Sequence, residues 1–188
     1  MSFFKLLLTF APWLAFMIIA PNNLTLGLAV GLVLCVVMGV TRLHRGVLLW
    51  SGLLFFSIAT VSVALFHDMW TARHMGILAN LFLAASAWIG IALKRPFTLD
   101  YAREHTDPSL WHAPDFIRTN MIITGVWATA FTVNGILAWG KMVHFVLPEL
   151  AYDFVSYAFL IATAAFTTWY PQYRRRIRAQ QQHPQPPS

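Results

Sequence analysis

"MIITGVWATAFTVNGILAWG", Met121 to Gly140, runs for twenty residues without an Asp, Glu, Lys or Arg. As a helix it rises about 30 Å at 1.5 Å per residue, the thickness of a bilayer's hydrocarbon core. Five other runs share its character: Phe3–Ala20, Leu24–Val40, Val47–Phe66, Met75–Leu93 and Leu150–Tyr170. The charged residues inside the six are Lys5 and Asp153, each near a run end. None of the runs alternates apolar and polar with period two, which excludes the strands of a membrane barrel. The chain therefore reads as all-α: a polytopic membrane bundle of six transmembrane helices over residues 1–173, with a tail at 174–188.

Composition agrees. The 188 residues are 58% hydrophobic and 11% charged, with a mean hydropathy of +0.61. Soluble domains carry about a quarter charged residues. The first run, with Lys5 ahead of it, resembles a signal peptide, but its length and Ile18 near the end favour a retained helix. Cys35 is the one cysteine, so no internal disulfide forms.

The net charge of +6 does not form a nucleic-acid patch, because the basic residues sit at run ends. With a cytoplasmic N-terminus, one side holds Lys5, Arg42, Arg45, Lys94, Arg95, Arg103, Arg118, Arg174, Arg175, Arg176 and Arg178. The other side holds Arg73 and Lys141. The positive-inside rule then places both termini in the cytoplasm. Trp13, Trp50, Trp70, Trp139, Trp169, Tyr152 and Tyr170 lie near run ends, where amphipathic rings suit the interface.

Within the bilayer, close backbone approach and scattered polar contacts hold helices together. Gly27, Gly31, Cys35 and Gly39 put a small residue at every fourth position of the second run, a packing seam inside the bundle. Asn80 and Asn134 are intramembrane carboxamides. Interhelical hydrogen bonding is their commoner use, and a substrate contact is the sharper one.

Residues 94–120 hold eight of the chain's twenty Asp, Glu, Lys and Arg residues. Pro96 stops the fourth helix, Thr98 is placed to cap a short helix, and Phe97, Leu99 and Ala102 face the membrane surface. Asp107-Pro108 and Pro114-Asp115 read as two further helix starts. The loop's charges nearly cancel, so salt bridges within it are the plain reading. Its sharper reading is a cytoplasmic site for a lipid headgroup or small solute, with Arg95, Asp100, Arg103, Glu104, Trp111 and Arg118 as candidate contacts. Arg174, Arg175, Arg176 and Arg178 form a juxtamembrane basic segment suited to anionic lipid. The Gln/Pro-rich end reads as disordered.

Several chemistries lack their residues. The histidines fall in loops or the tail, so no intramembrane pair exists for haem. There is no carboxylate relay, arginine ladder or phosphate-binding GxxxxGK[ST]. His67, Asp68, His74 and His144 match no metal motif. Asp100, Glu104, His105 and His112 are necessary but not sufficient for acid–base catalysis. No metal, other cofactor, catalytic residue or nucleic-acid partner is expected.

"KRPF", "PSLW" and the helix carrying Asn120, Trp127, Phe131 and Asn134 resemble the bacterial intracellular septation protein A (YciB-like) group. Lys94, Pro96, Trp111, Asn120, Trp127 and Asn134 carry the resemblance. It implies a small multi-pass protein of the bacterial inner membrane. Such a protein supports envelope organisation and division through lipid, homo-oligomeric or other envelope-protein contacts, without catalysis. The alternative is a small-solute or lipid transporter, its site between the fourth and fifth helices or at the cytoplasmic loop.

Overall fold

A computed structural model describes residues 10–41, 46–103 and 106–182, and among them every regular element is helical. The helices are α1 (Ala11–Ile19), α2 (Leu24–Val40), α3 (Val47–Thr60), α4 (Met69–Arg73), α5 (Met75–Ala92), α6 (Thr98–Arg103), α7 (Pro114–Met142) and α8 (Glu149–Gln182). A π turn, Val61–Leu65, prolongs α3, and a 3-10 turn, Pro108–Leu110, precedes α7. Among the described residues, four stretches are long and apolar enough to cross a membrane: Val47–Leu65, Met75–Ala92, Pro114–Met142 and Glu149–Ile177. These are the helices of a membrane protein. Helix α2 is apolar but shorter, and the first expected run is described only from residue 10.

Local chemistry sets the helix ends. Asn23 Oδ1 accepts from the Leu26 amide at 3.0 Å and caps α2. Pro114 opens α7, where a missing amide hydrogen costs nothing, and Asp115 complements the positive end of the helix. Helices α5 and α7 stop in the same way. Lys94 adopts φ 56° while the Arg95 amide reaches back to the Gly90 carbonyl at 2.8 Å. His144 adopts φ 50° while the Phe145 amide reaches the Gly140 carbonyl at 2.9 Å. Both are Schellman endings with a non-glycine residue in the left-handed position.

Helix α5 packs along α7, α7 also holds α8, and the hairpins α1–α2 and α2–α3 complete the bundle. The glycine seam of α2 faces inward. A Cβ on Gly31 would lie 2.6 Å from the fully buried Phe56 ring, and one on Gly27 would lie 2.9 Å from the Ala20 backbone. Gly39 has ordinary room beside Leu49, and Cys35 occupies the space left by Gly52. Trp13, expected at the interface, instead packs in the bundle 5.0 Å from Phe55 and 4.9 Å from Phe56. Tyr152 is likewise buried, with its hydroxyl donating to the Phe145 carbonyl. Of the rings expected at the interface, Trp50, Trp70, Trp139 and Trp169 are exposed and Tyr170 is half-buried.

Two expectations about the non-membrane segments change. The tail, expected from residue 174, begins inside a helix, since α8 runs on past Pro171 through Arg174, Arg175 and Arg176 to Gln182. A proline removes one amide donor from a helix. Here aromatic pairs bracket the break, Phe166 on Tyr170 and Trp169 on Tyr173, both stacked at 5.0 Å. Phe97 and Leu99 do not face outward either. Pro96 to Leu99 fold back into the bundle, where Phe97 is 2% and Thr98 1% exposed. Gly90 permits this return, because a Cβ there would meet the Arg95 carbonyl at 3.0 Å.

Candidate functional site

Helices α5 and α7 run antiparallel, so the pair has one end carrying Pro96 and another carrying Lys141. At the Pro96 end the inserted loop fills the space. Thr98 Oγ1 lies 3.0 Å from the Asn120 carbonyl and 2.9 Å from Thr124 Oγ1. The hydroxyl thus points across to α7, not to its own helix start as a cap. Phe97 meets Phe10 edge-on at 6.2 Å, and Phe10 stacks on Trp127 at 4.8 Å. Asn120 Nδ2 donates to the Phe116 carbonyl at 2.9 Å. Pro96, Asn120 and Trp127, which carry much of the family resemblance, therefore close this end.

At the Lys141 end the helices line an open cavity of about 680 Å³. Its apolar wall includes Trp13, Phe16 and Leu83, and its polar lining includes Asn80, Asn134, Lys141 and Asp153. The two carboxamides flank one contact between the helices: a Cβ on Gly135 would sit in ordinary contact with Asn80 Cβ, at 3.6 Å. They do not bond across it. Asn80 Nδ2 donates to the Gly76 carbonyl of its own helix at 2.8 Å. Asn134 is 3% exposed, and its Oδ1 has no hydrogen-bond partner among the described residues. Leaving a buried acceptor unmatched costs about 1–3 kcal/mol.

The cavity mouth is charged. Lys141 Nζ donates to both Asp153 oxygens at 2.8 Å, and His144 Nδ1 lies 3.6 Å from Glu149. Arg73 also lines it. Nearby, Asp68 accepts from Thr71 Oγ1 at 2.6 Å and from the Trp70 amide, which holds its carboxyl below the usual carboxylate range. Hydrogen bonding to the charged form has that sign. Among the described residues no group of three His, Cys, Asp or Glu gathers as a metal site.

The loop residues do not converge on one pocket. Arg95, Arg118 and His112 are exposed, and Asp100 is half-buried. Arg103 lies over the Trp111 ring at 5.6 Å, while Trp111 donates to the Thr106 carbonyl at 3.0 Å. Glu104 and His105 lie outside the described residues. Among the described residues no ion pair forms within the loop. Asp115 instead meets Arg174 of α8 at 3.3 Å, beside a hollow of about 160 Å³. Arg175 lines that hollow too, Arg176 is exposed, and the Arg178 side chain lies outside the described residues.

Sequence reasoning singled out the asparagines and missed the threonines. Thr132 donates to the Ala128 carbonyl and accepts Trp88 Nε1 at 3.2 Å; Thr167 donates to the Thr163 carbonyl and accepts Trp127 Nε1 at 2.9 Å. In each, the threonine proton satisfies its own helix and the oxygen takes an indole from a neighbour. A search for Trp and Thr at matching membrane depth would have found both pairs.

Compared with protein-family models, with curated proteins and with solved structures, the chain gives no match. The cavity with Asn80 and Asn134 is the site its own chemistry favours.

Proposed function

We propose that this chain is a six-pass inner-membrane protein, with both termini in the cytoplasm, that binds and transports a small solute or lipid headgroup through the cavity that α1, α5, α7 and α8 line. One observation carries the reading: a cavity of about 680 Å³ lined by a buried asparagine whose carbonyl oxygen has no partner. Ligand sites are mostly apolar hollows of roughly 300–1,000 Å³ with a few placed polar groups. An interhelical tie, the commoner use of such an asparagine, would have found its partner on a neighbouring helix.

The filled Pro96 end and the open Lys141 end suit a carrier resting with its site toward one side. By the positive-inside rule that side is the outer one. This reading stands ahead of an envelope-organising role, whose support is the resemblance at Lys94, Pro96, Trp111, Asn120, Trp127 and Asn134.

Purified protein tested by thermal denaturation against a metabolite and lipid panel provides the test. At least one compound is expected to raise the melting temperature, and Met17→Trp, which fills the cavity from α1, should abolish that rise. A flat response across the panel would count against binding. Cysteine labelling that put residues 98–112 on the same side as residues 67–74 would overturn the topology.

A further inference from the structure

We infer that the hollow where α8 meets the start of α7 is a binding site for the phosphate of an anionic phospholipid. This site lies at the Pro96 end, apart from the cavity at the Lys141 end, and stands whether or not that cavity binds a solute.

The charged groups of its lining have one sign. Arg174 and Arg175 of α8 line the hollow of about 160 Å³ together with Thr119 and Asn120 of α7, and among the described residues no carboxylate joins them. A guanidinium carries N–H donors and no acceptor, so only an acceptor can answer these two groups. Arg174 gives one bond, from Nη2 to Asp115 Oδ1 at 3.3 Å, and its buried Nε has no partner among the described residues. That one contact leaves the other terminal N–H groups, on a side chain 31% exposed, for a second acceptor. Arg175 is exposed and pairs with no carboxylate among the described residues. Asp115 thus offsets one charge, while Arg175 and Arg176 keep this end of α8 positive.

Depth fits a headgroup. The apolar run Leu150–Tyr170 covers about 30 Å as a helix, the whole hydrocarbon core. Arg174 and Arg175 follow it by four and five residues, about 6–8 Å farther, within the headgroup layer. On α7, Phe116 and Thr119 stand just ahead of the uncharged run that starts at Met121. Leu110, Phe116 and Ile123 add an apolar wall for the glycerol and the first methylenes of the chains. Sites that enclose a small molecule measure roughly 300–1,000 Å³, so this smaller hollow suits one headgroup whose chains stay in the bilayer. The topology proposed above puts it at the cytoplasmic leaflet, which carries anionic lipid.

A diffuse basic segment would also attract such lipid, but it would not distinguish Arg175, which lines the hollow, from Arg176, which does not. Native mass spectrometry of the full chain, released from nonionic detergent, counts bound lipid during separate titrations with dioleoyl phosphatidylglycerol, dioleoyl phosphatidylcholine and inorganic phosphate. The first phosphatidylglycerol should bind about tenfold tighter than phosphatidylcholine, whose choline offsets the phosphate, and about tenfold tighter than inorganic phosphate, which has no chains. Thr119→Phe narrows the hollow without changing charge and should weaken that first lipid about tenfold. Arg175→Gln should weaken it at least about threefold more than Arg176→Gln, although each removes one charge. Equal binding of the two lipids would overturn the anion assignment, and phosphate binding as tight as phosphatidylglycerol would overturn the lipid one. Equal losses in the two arginine variants, or an unchanged affinity in folded Thr119→Phe, would overturn the site itself. Should Thr119→Phe not fold, the arginine pair, both exposed, still decides.

Discussion

The Pro96 end and the Lys141 end of the bundle are built on the same two helices, and each presents one buried asparagine of α7. Asn120 and Asn134 are fourteen residues apart, about four turns, and so lie on one side of the helix. Asn120 is 4% exposed, its amide bonded to Phe116 and its backbone carbonyl to Thr98. Asn134 is 3% exposed, with its carbonyl oxygen unmatched and a cavity beside it. Burial is the same and residue type is the same. What differs is the setting: one asparagine is tied through its amide nitrogen and its backbone carbonyl, and the other keeps a buried oxygen unmatched beside the larger cavity.

The contrast can be broken most forcefully at the filled end. Phe97→Ala removes the ring that closes it and should destabilise the protein by about 3 kcal/mol or more, read from thermal denaturation in detergent. A change below about 1 kcal/mol would mean that the loop is not the plug. Thr98→Val keeps the shape and deletes the hydroxyl shared with Asn120 and Thr124, at a cost of about 1–3 kcal/mol. At the open end the sign should reverse. Asn134→Leu discards an unmatched acceptor, so stability should stay level or rise by up to about 1 kcal/mol while ligand response is lost. Smallest is Lys141→Met, which breaks the half-exposed pair with Asp153; it should cost about 0–1 kcal/mol and fade in high salt. Equal salt dependence in the variant and the native chain would show the pair to be inert.

The membrane helices α3, α5, α7 and α8 were legible because a lipid core forbids charge, and an uncharged apolar run of about twenty residues is seldom anything but a membrane span. The start of α7 at Pro114 and the Asp107 cap of the 3-10 turn were legible for a local reason: the residues that make a cap are its own neighbours in sequence. The position of Phe97 and Leu99 was not. An apolar residue beside a membrane helix is equally content against lipid or inside the bundle, and no periodicity in the sequence separates the two. The same limit applies to Trp13 and Tyr152. The asparagine pair could be picked out, but whether each amide finds a partner depends on atoms from other helices. The threonines were overlooked because Thr sits near neutral on a hydropathy scale, which carries no record of what its hydroxyl bonds to.

The twin endings at Lys94 and His144 have a practical consequence. Each holds an L-amino acid where the backbone favours glycine, a conformation costing on the order of 1 kcal/mol. Both positions lie outside the membrane-length helices. His144 lines the cavity mouth, whereas Lys94 is exposed and apart from it, so glycine at Lys94 would relax its turn without touching the cavity: the molecule carries one site for being made sturdier in detergent while its chemistry is left alone.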